Sequence, residues 1–167
     1  MSRKACRVRN ISFFTLLALG AGNALAQSPA DFINDASAKG MADIEASRLA
    51  HQKSESKEVK DYTIVVINDR TTANQHLAKI ARKLDLPVAS RDDMADKAKT
   101  LMPEALEGAT FDQAYAASQV KATEEAIQQI EQEAQTTDVP EIKAFAAETL
   151  PKLQNHLEMA RALQASR

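Results

Sequence analysis

The sequence predicts an all-α fold, a four-helix up-and-down bundle with a short extra helix and a proline-kinked last helix. Glycine and proline are scarce, with 4 and 5 residues among 167, which is typical of helical proteins. Apolar residues recur every three or four positions over long stretches, which is the spacing of one helical face. The links between these stretches are short, so neighbouring helices are expected to be antiparallel.

The first 26 residues are predicted to be a secretory signal peptide. A basic start, an apolar run over residues 11–19 and the small-x-small sequence at residues 24–26 form the pattern of a signal that is cleaved after Ala26. The apolar run is short for a transmembrane helix, and an uncleaved anchor is the alternative. Residues 27–167 are then expected to form one domain in the periplasm, with outer-membrane association or secretion as alternatives.

Composition limits the partners of the mature chain. The signal contains 4 of the 21 basic residues and the only cysteine, so 17 basic and 23 acidic residues remain, with a net charge of −6 and no thiol. This charge argues against binding to nucleic acid or to anionic membrane surfaces. No second apolar segment is long enough to span a bilayer. The expected partners are an unknown envelope protein, a small ligand or a second copy of the chain.

Start and stop signals divide the mature chain into five helices. The expected ranges are 29–52, 57–84, 91–106, 111–135 and a last helix that follows residue 138. The expected N-caps, in order, are Ser28, Ser54 or Ser56, Ser90, Thr110 and Asp138, the last in a capping box with Glu141.

Two features of the predicted helices allow more than one interpretation. Residues 62–67 (YTIVVI) resemble a strand when taken alone. They are assigned to the second helix because the helical spacing continues on both sides and no partner strand exists elsewhere. Pro151 lies inside the last helix and is expected to kink or split it.

Arg70 lies on the apolar face of the second helix, directly after Asp69. A buried arginine must be paired, because an unpaired internal charge costs several kcal/mol. A carboxylate on the first helix is the expected partner. Asp43 and Glu45 are only two residues apart, so only one of them can face the core. The sequence leaves both possibilities open.

Thr123 and His156 are polar residues on the apolar faces of the fourth and last helices. A lone histidine in such a position is by default a neutral core residue with one hydrogen bond, whereas His51 and His76 are expected near the surface. The sequence contains no glycine-rich phosphate loop, His-Glu-x-x-His, Glu-x-x-His or Gly-x-Ser-x-Gly motif. No catalytic residue is therefore predicted.

Four motifs in this order resemble those of the DUF4142 family, small exported bacterial proteins with a ferritin-like bundle that are often labelled outer-membrane proteins. They are residues 40–50 (GMADIEASRLA), 68–74 (NDRTTAN), 111–115 (FDQAY) and 150–157 (LPKLQNHL). The resemblance extends over nearly all of the mature chain and implies a ferritin-like architecture.

The resemblance also implies a degenerate metal site. The family has histidines where this chain has Arg70 and Thr123, so only His156 of the three is present. Three imidazoles and a carboxylate could hold a transition metal in a bundle core. A guanidinium repels a metal ion and donates hydrogen bonds where a ligand must accept them. Arg70 is therefore interpreted as a built-in cation, and no metal or other cofactor is expected.

The function expected from the sequence is that of a non-enzymatic, exported periplasmic or envelope protein connected with stress. Its predicted core polar cluster consists of Asp43, Glu45, Asp69, Arg70, Thr123 and His156. The alternative is a ferritin-like metal-binding protein or metal-dependent oxidoreductase. It would hold iron, manganese or zinc through Glu45, Asp69 and His156.

Overall fold

The computed structural model describes residues 27–101 and 111–166, and this part of the chain is all-helical, as predicted. The helices, in chain order, are α1 (Pro29–Lys53), α2 (Lys57–Lys83), α3 (Arg91–Leu101), α4 (Phe111–Thr136) and α5 (Pro140–Ala165). The predicted signal peptide, the end of the third helix and the cap at Thr110 lie outside the described residues.

Four long helices form the bundle and α3 is the short extra one. The main contacts join α1 to α2, α4 to α5, α2 to α5 and α1 to α4, while α3 packs on α1. Residues 62–67 are helical and lie within α2, so the strand alternative does not occur. In the described part of the chain, no helix is both long enough and apolar enough to cross a membrane.

The first two helices begin at the predicted caps. The Ser28 hydroxyl oxygen accepts a hydrogen bond from the Asp31 amide at 3.1 Å. For α2 the cap is Ser56, whose hydroxyl oxygen accepts from the Val59 amide at 3.3 Å. Ser54, the other candidate, is instead the C-cap of α1 and accepts from the Ser56 amide at 3.0 Å. Ser54 therefore ends α1, and Ser56 begins α2, at the two sides of the short link between these helices.

The capping box predicted at the start of the last helix is wrong. Pro140 takes the first helical position, so the N-cap is Val139 and Asp138 lies one residue too early to cap. The Thr137 hydroxyl oxygen accepts from the Val139 amide at 3.3 Å instead. Pro151 lies inside α5, which runs continuously from Pro140 to Ala165. The proline therefore does not split the helix.

The end of α2 is a Schellman turn. The Leu86 amide donates to the Ala81 carbonyl at 3.0 Å, and Asp85 has a φ of 49°. This left-handed position usually holds glycine, because a Cβ there costs roughly 1–2 kcal/mol. The turn leads to Ser90, whose hydroxyl oxygen accepts from the Asp93 amide at 3.1 Å and caps α3 as predicted.

The core is divided into two apolar clusters stacked along the bundle. One contains Phe32, Leu77 and Phe145, and the other contains Tyr62 and Tyr115. On each of the four long helices, the residues between the two clusters include buried polar side chains. We call this middle layer the polar band and define it as Asp43, Asp69, Arg70, Thr123 and His156. The antiparallel arrangement of the helices brings its members to the same level.

Gly40 leaves room on α1 for the Asn74 side chain of α2. A Cβ built on Gly40 would overlap Asn74 Oδ1, so a larger residue there would require the Asn74 amide to move. The Asn74 side-chain amide donates to the Ser37 carbonyl at 3.1 Å and so connects the two helices. Gly40 and Asn74, which belong to two separate sequence motifs, therefore form one contact.

Candidate functional site

The centre of the polar band is an ion pair between α2 and α1. Arg70 Nη2 lies 2.7 Å from Asp43 Oδ2, and the two side chains are only 9% and 11% exposed. Glu45 points away from the core, is 52% exposed and pairs with Arg48. Residues two apart on a helix face nearly opposite directions, so the packing of α1 on α2 selects one carboxylate. The partner that the sequence left open is Asp43.

Opposing effects act on the Asp43 carboxyl group. Burial raises the pKa of Asp43 above its ordinary 3.8, and the Arg70 cation opposes this rise without cancelling it. A buried ion pair of this kind offsets the cost of removing two charges from water only while both partners are present. Removal of either side chain would leave an uncompensated group in the core.

A second polar pair lies next to the first. His156 Nε2 is 2.8 Å from Asp69 Oδ2, with the imidazole 1% exposed and the carboxylate 33% exposed. A carboxylate only accepts hydrogen bonds, so Nε2 carries the proton and donates it. Burial lowers the pKa of His156, the Asp69 carboxylate opposes this and the Arg70 cation adds to it. The imidazole is therefore neutral at neutral pH, as expected for a lone core histidine.

We expect this histidine to make the protein less stable in mild acid. The unfolded chain binds a proton at His156 near pH 6.5, and the folded chain does so only at lower pH. Between these two pKa values the unfolded state holds the extra proton. The free energy of unfolding therefore falls by at most about 1.4 kcal/mol for each unit by which the pH is lowered. Urea unfolding from pH 7.5 to 5.5 measures the slope of stability against pH, which His156→Gln should reduce. An unchanged slope in His156→Gln would contradict the assignment.

Two tyrosines extend the polar band towards α4, and the sequence reasoning missed them. The Tyr62 hydroxyl donates to Gln119 Oε1 at 3.3 Å, and Ser47 and Tyr115 share a hydrogen bond of 2.8 Å. Burial raises the pKa of Tyr62, the Asp43 charge adds to this effect, and the Arg70 cation opposes it. Tyr115 belongs to a quoted motif and Ser47 lies on the same face as Asp43, so both could have been found from the sequence.

Arg70 also has one buried atom without a partner. Its Nε is buried and makes no hydrogen bond to any described residue. Two cavities of about 20 Å³ each touch Arg70, and Phe145 and Thr149 line both of them. Each is large enough for one water molecule. Phe145 is thus the large apolar side chain that borders both cavities next to Arg70.

The other two histidines lie outside the polar band. His51 Nδ1 and the Thr63 hydroxyl are 2.9 Å apart and connect α1 to α2. His76 is 37% exposed, lies 3.4 Å from Glu148 and meets the Phe145 ring edge-on. Neither imidazole joins His156 in a group of described side chains that could hold a metal ion.

The described residues do not bring the predicted metal ligands together. The structure brings Asp43, Asp69, Arg70, Thr123 and His156 to one level, but it does not bring Glu45 there, so the alternative ligand set does not converge. Among residues 27–101 and 111–166, no group of three or more His, Cys, Asp or Glu side chains could hold a metal. The guanidinium that pairs with Asp43 places a fixed positive charge where the ion would have to bind.

The fold and the site define a class of protein, an all-α bundle of four long helices and a short one, with a buried Arg–Asp ion pair and a histidine in the middle of its core. The chain belongs to the DUF4142 family, described as a domain of unknown function, whose sequence profile matches residues 15–163. The family predicted from the motifs is thus confirmed. No curated protein and no solved structure matches the chain.

Proposed function

We propose that this protein is an exported, non-enzymatic component of the periplasm or cell envelope, with a role under stress, in which a fixed internal cation takes the place of a metal. The observation that carries this proposal is the buried Arg70–Asp43 ion pair next to His156. A guanidinium remains charged at every physiological pH and needs no loading. The positive charge at the centre of the bundle would therefore be present whether or not metal ions are available.

The export part of the proposal is supported by the N-terminal sequence. The basic, apolar and small-residue segments of residues 1–26 predict cleavage after Ala26. Protein recovered from the periplasm is expected to have the intact mass of residues 27–167, with Gln27 free or cyclised. The control combines Ala24→Leu with Ala26→Leu, which removes the cleavage signature and should leave the signal attached. An exported wild-type protein that retains residues 1–26 would contradict the prediction.

A ferritin-like metal-binding protein or metal-dependent oxidoreductase is the second candidate. It is supported by the buried His156 imidazole, which lies 2.8 Å from the Asp69 carboxylate, because both side chains are of a kind that can bind a metal ion. Iron, manganese and zinc are the ions that such donors could take in a helical bundle. The two candidates differ in whether the guanidinium permits an ion to bind.

We expect protein purified from the periplasm without chelator to contain no stoichiometric iron, manganese or zinc by elemental analysis. Arg70→His alone should destabilise the fold and gain little metal affinity, because Thr123 supplies no imidazole. Arg70→His combined with Thr123→His should bind zinc or cobalt measurably, since three imidazoles and a carboxylate would then face one point. Cobalt absorption and zinc titration measure this gain. One equivalent of metal that survives dialysis of the wild type would favour the second candidate.

A further inference from the structure

A groove of about 720 Å³ lies between α1, α2 and the link to α3, and none of its described lining residues belongs to the polar band. Pockets that bind small molecules typically have volumes of roughly 300–1,000 Å³. The groove follows α1 from Ile33 to Arg48, which corresponds to about 22 Å at 1.5 Å per residue. Its size and length suit an extended small molecule.

Half of the residues that line the groove are apolar, and the other half are polar or charged. Helix α1 contributes Ile33, which is 1% exposed, and the α2–α3 link contributes Leu86. The left-handed turn at Asp85 places Leu86 against Ala81, so a strained backbone forms part of this wall. Methionines contribute flexible side chains that adapt to ligands of different shape. The lining methionines are Met41 and Met94.

The charges of the groove are unequal at its two ends. At the middle of α1, Glu45 and Arg48 neutralise each other at 2.6 Å. At the other end, near the α2–α3 link, Arg82 and Arg91 lie with Asp85, which gives a net charge of +1. Within residues 27–101 and 111–166, neither of these two guanidinium groups has an ion-pair or hydrogen-bond partner. A single negative charge would complement this end.

We propose that the groove binds a single-chain amphiphile, with its apolar tail along α1 and its carboxylate head group between Arg82 and Arg91. The apolar side chains of the wall suit a hydrocarbon tail, and the net positive charge at one end suits an anionic head group. A free amphiphile fits better than a membrane surface, because the mature chain has a net charge of −6 and would be repelled by anionic lipid. This site is separate from the polar band, and it rests on the proposed function only in taking residues 27–167 as the exported chain.

The test uses the mature chain and cis-parinaric acid, a fluorescent long-chain carboxylate. We expect one probe molecule to bind per chain. Laurate should displace it at least tenfold more effectively than dodecyltrimethylammonium, which has a tail of equal length and the opposite charge. Absence of probe binding, or equal displacement by the two amphiphiles, would overturn the proposal.

Variants locate the binding. Ala78 is exposed and lines the groove, so Ala78→Trp should block the tail and abolish binding without disturbing the core. Arg82→Glu with Arg91→Glu should weaken probe binding at least tenfold. The control, Lys79→Glu with Lys143→Glu, changes the net charge equally at exposed positions outside the groove and should bind like the wild type.

Three results would contradict the assignment of the groove. Wild-type affinity in Ala78→Trp would show that the probe binds elsewhere. Equal weakening by the two charge-reversal pairs would show a general charge effect. A wild-type dimer in sedimentation that Ala78→Trp converts to a monomer would assign the groove to a second copy of the chain.

Discussion

Arg70→Ala is expected to lower the free energy of unfolding by about 3–5 kcal/mol at neutral pH, which is the cost of breaking a buried ion pair from one side. The variant leaves the Asp43 carboxylate in the core without the cation 2.7 Å away. Burial already raises the pKa of Asp43, so without the guanidinium the carboxyl group should take up a proton more readily. The loss should therefore be smaller at pH 5 than at pH 7 in urea unfolding.

Two further variants separate burial from charge. Arg48→Ala removes an exposed partner of Glu45 and should cost less than about 1 kcal/mol. Arg70→Met with Asp43→Leu removes both charges and should recover most of the loss, because apolar replacement of a buried pair is often neutral or stabilising. An Arg70→Ala protein that unfolds at the wild-type urea midpoint would refute the internal-cation interpretation.

Phe145→Ala is the second large expected effect, with a loss of about 3–5 kcal/mol in the free energy of unfolding. Phe145 is 2% exposed, its ring packs edge-on against Phe32 with centroids 6.3 Å apart, and it lines both cavities next to Arg70. The truncation would enlarge the free space next to the ion pair as well as remove apolar contacts. Chemical unfolding at neutral pH measures this loss.

Leu101→Ala is the matched control for Phe145→Ala. Leu101 is a large apolar residue that is 43% exposed at the end of α3, so its truncation should change stability by no more than about 0.5 kcal/mol. A Phe145→Ala protein as stable as this control would show that the apolar cluster around Phe145 is not packed as described.

The burial of Arg70 was predictable from the sequence because helical periodicity is a local property. The three-and-four spacing of apolar residues in α2 places residue 70 inward wherever the helix packs, and the structure buries it. The same reasoning assigned residues 62–67 to a helix, since spacing over the whole segment outweighs the strand preference of six residues. The caps at Ser28 and Ser56 are likewise contacts between residues three apart in the chain.

The choice between Asp43 and Glu45, and the pairing of His156 with Asp69, were decided by the tertiary structure. Asp43 and Glu45 lie two residues apart on α1 and point in nearly opposite directions. Only the orientation of α1 against α2 determines which of the two carboxylates meets Arg70. His156 and Asp69 are separated by 87 positions and meet because α5 packs on α2. The groove depends in the same way on the placement of α3 against α1. Local spacing and capping determine helices, whereas contacts between distant segments depend on how whole helix faces pack.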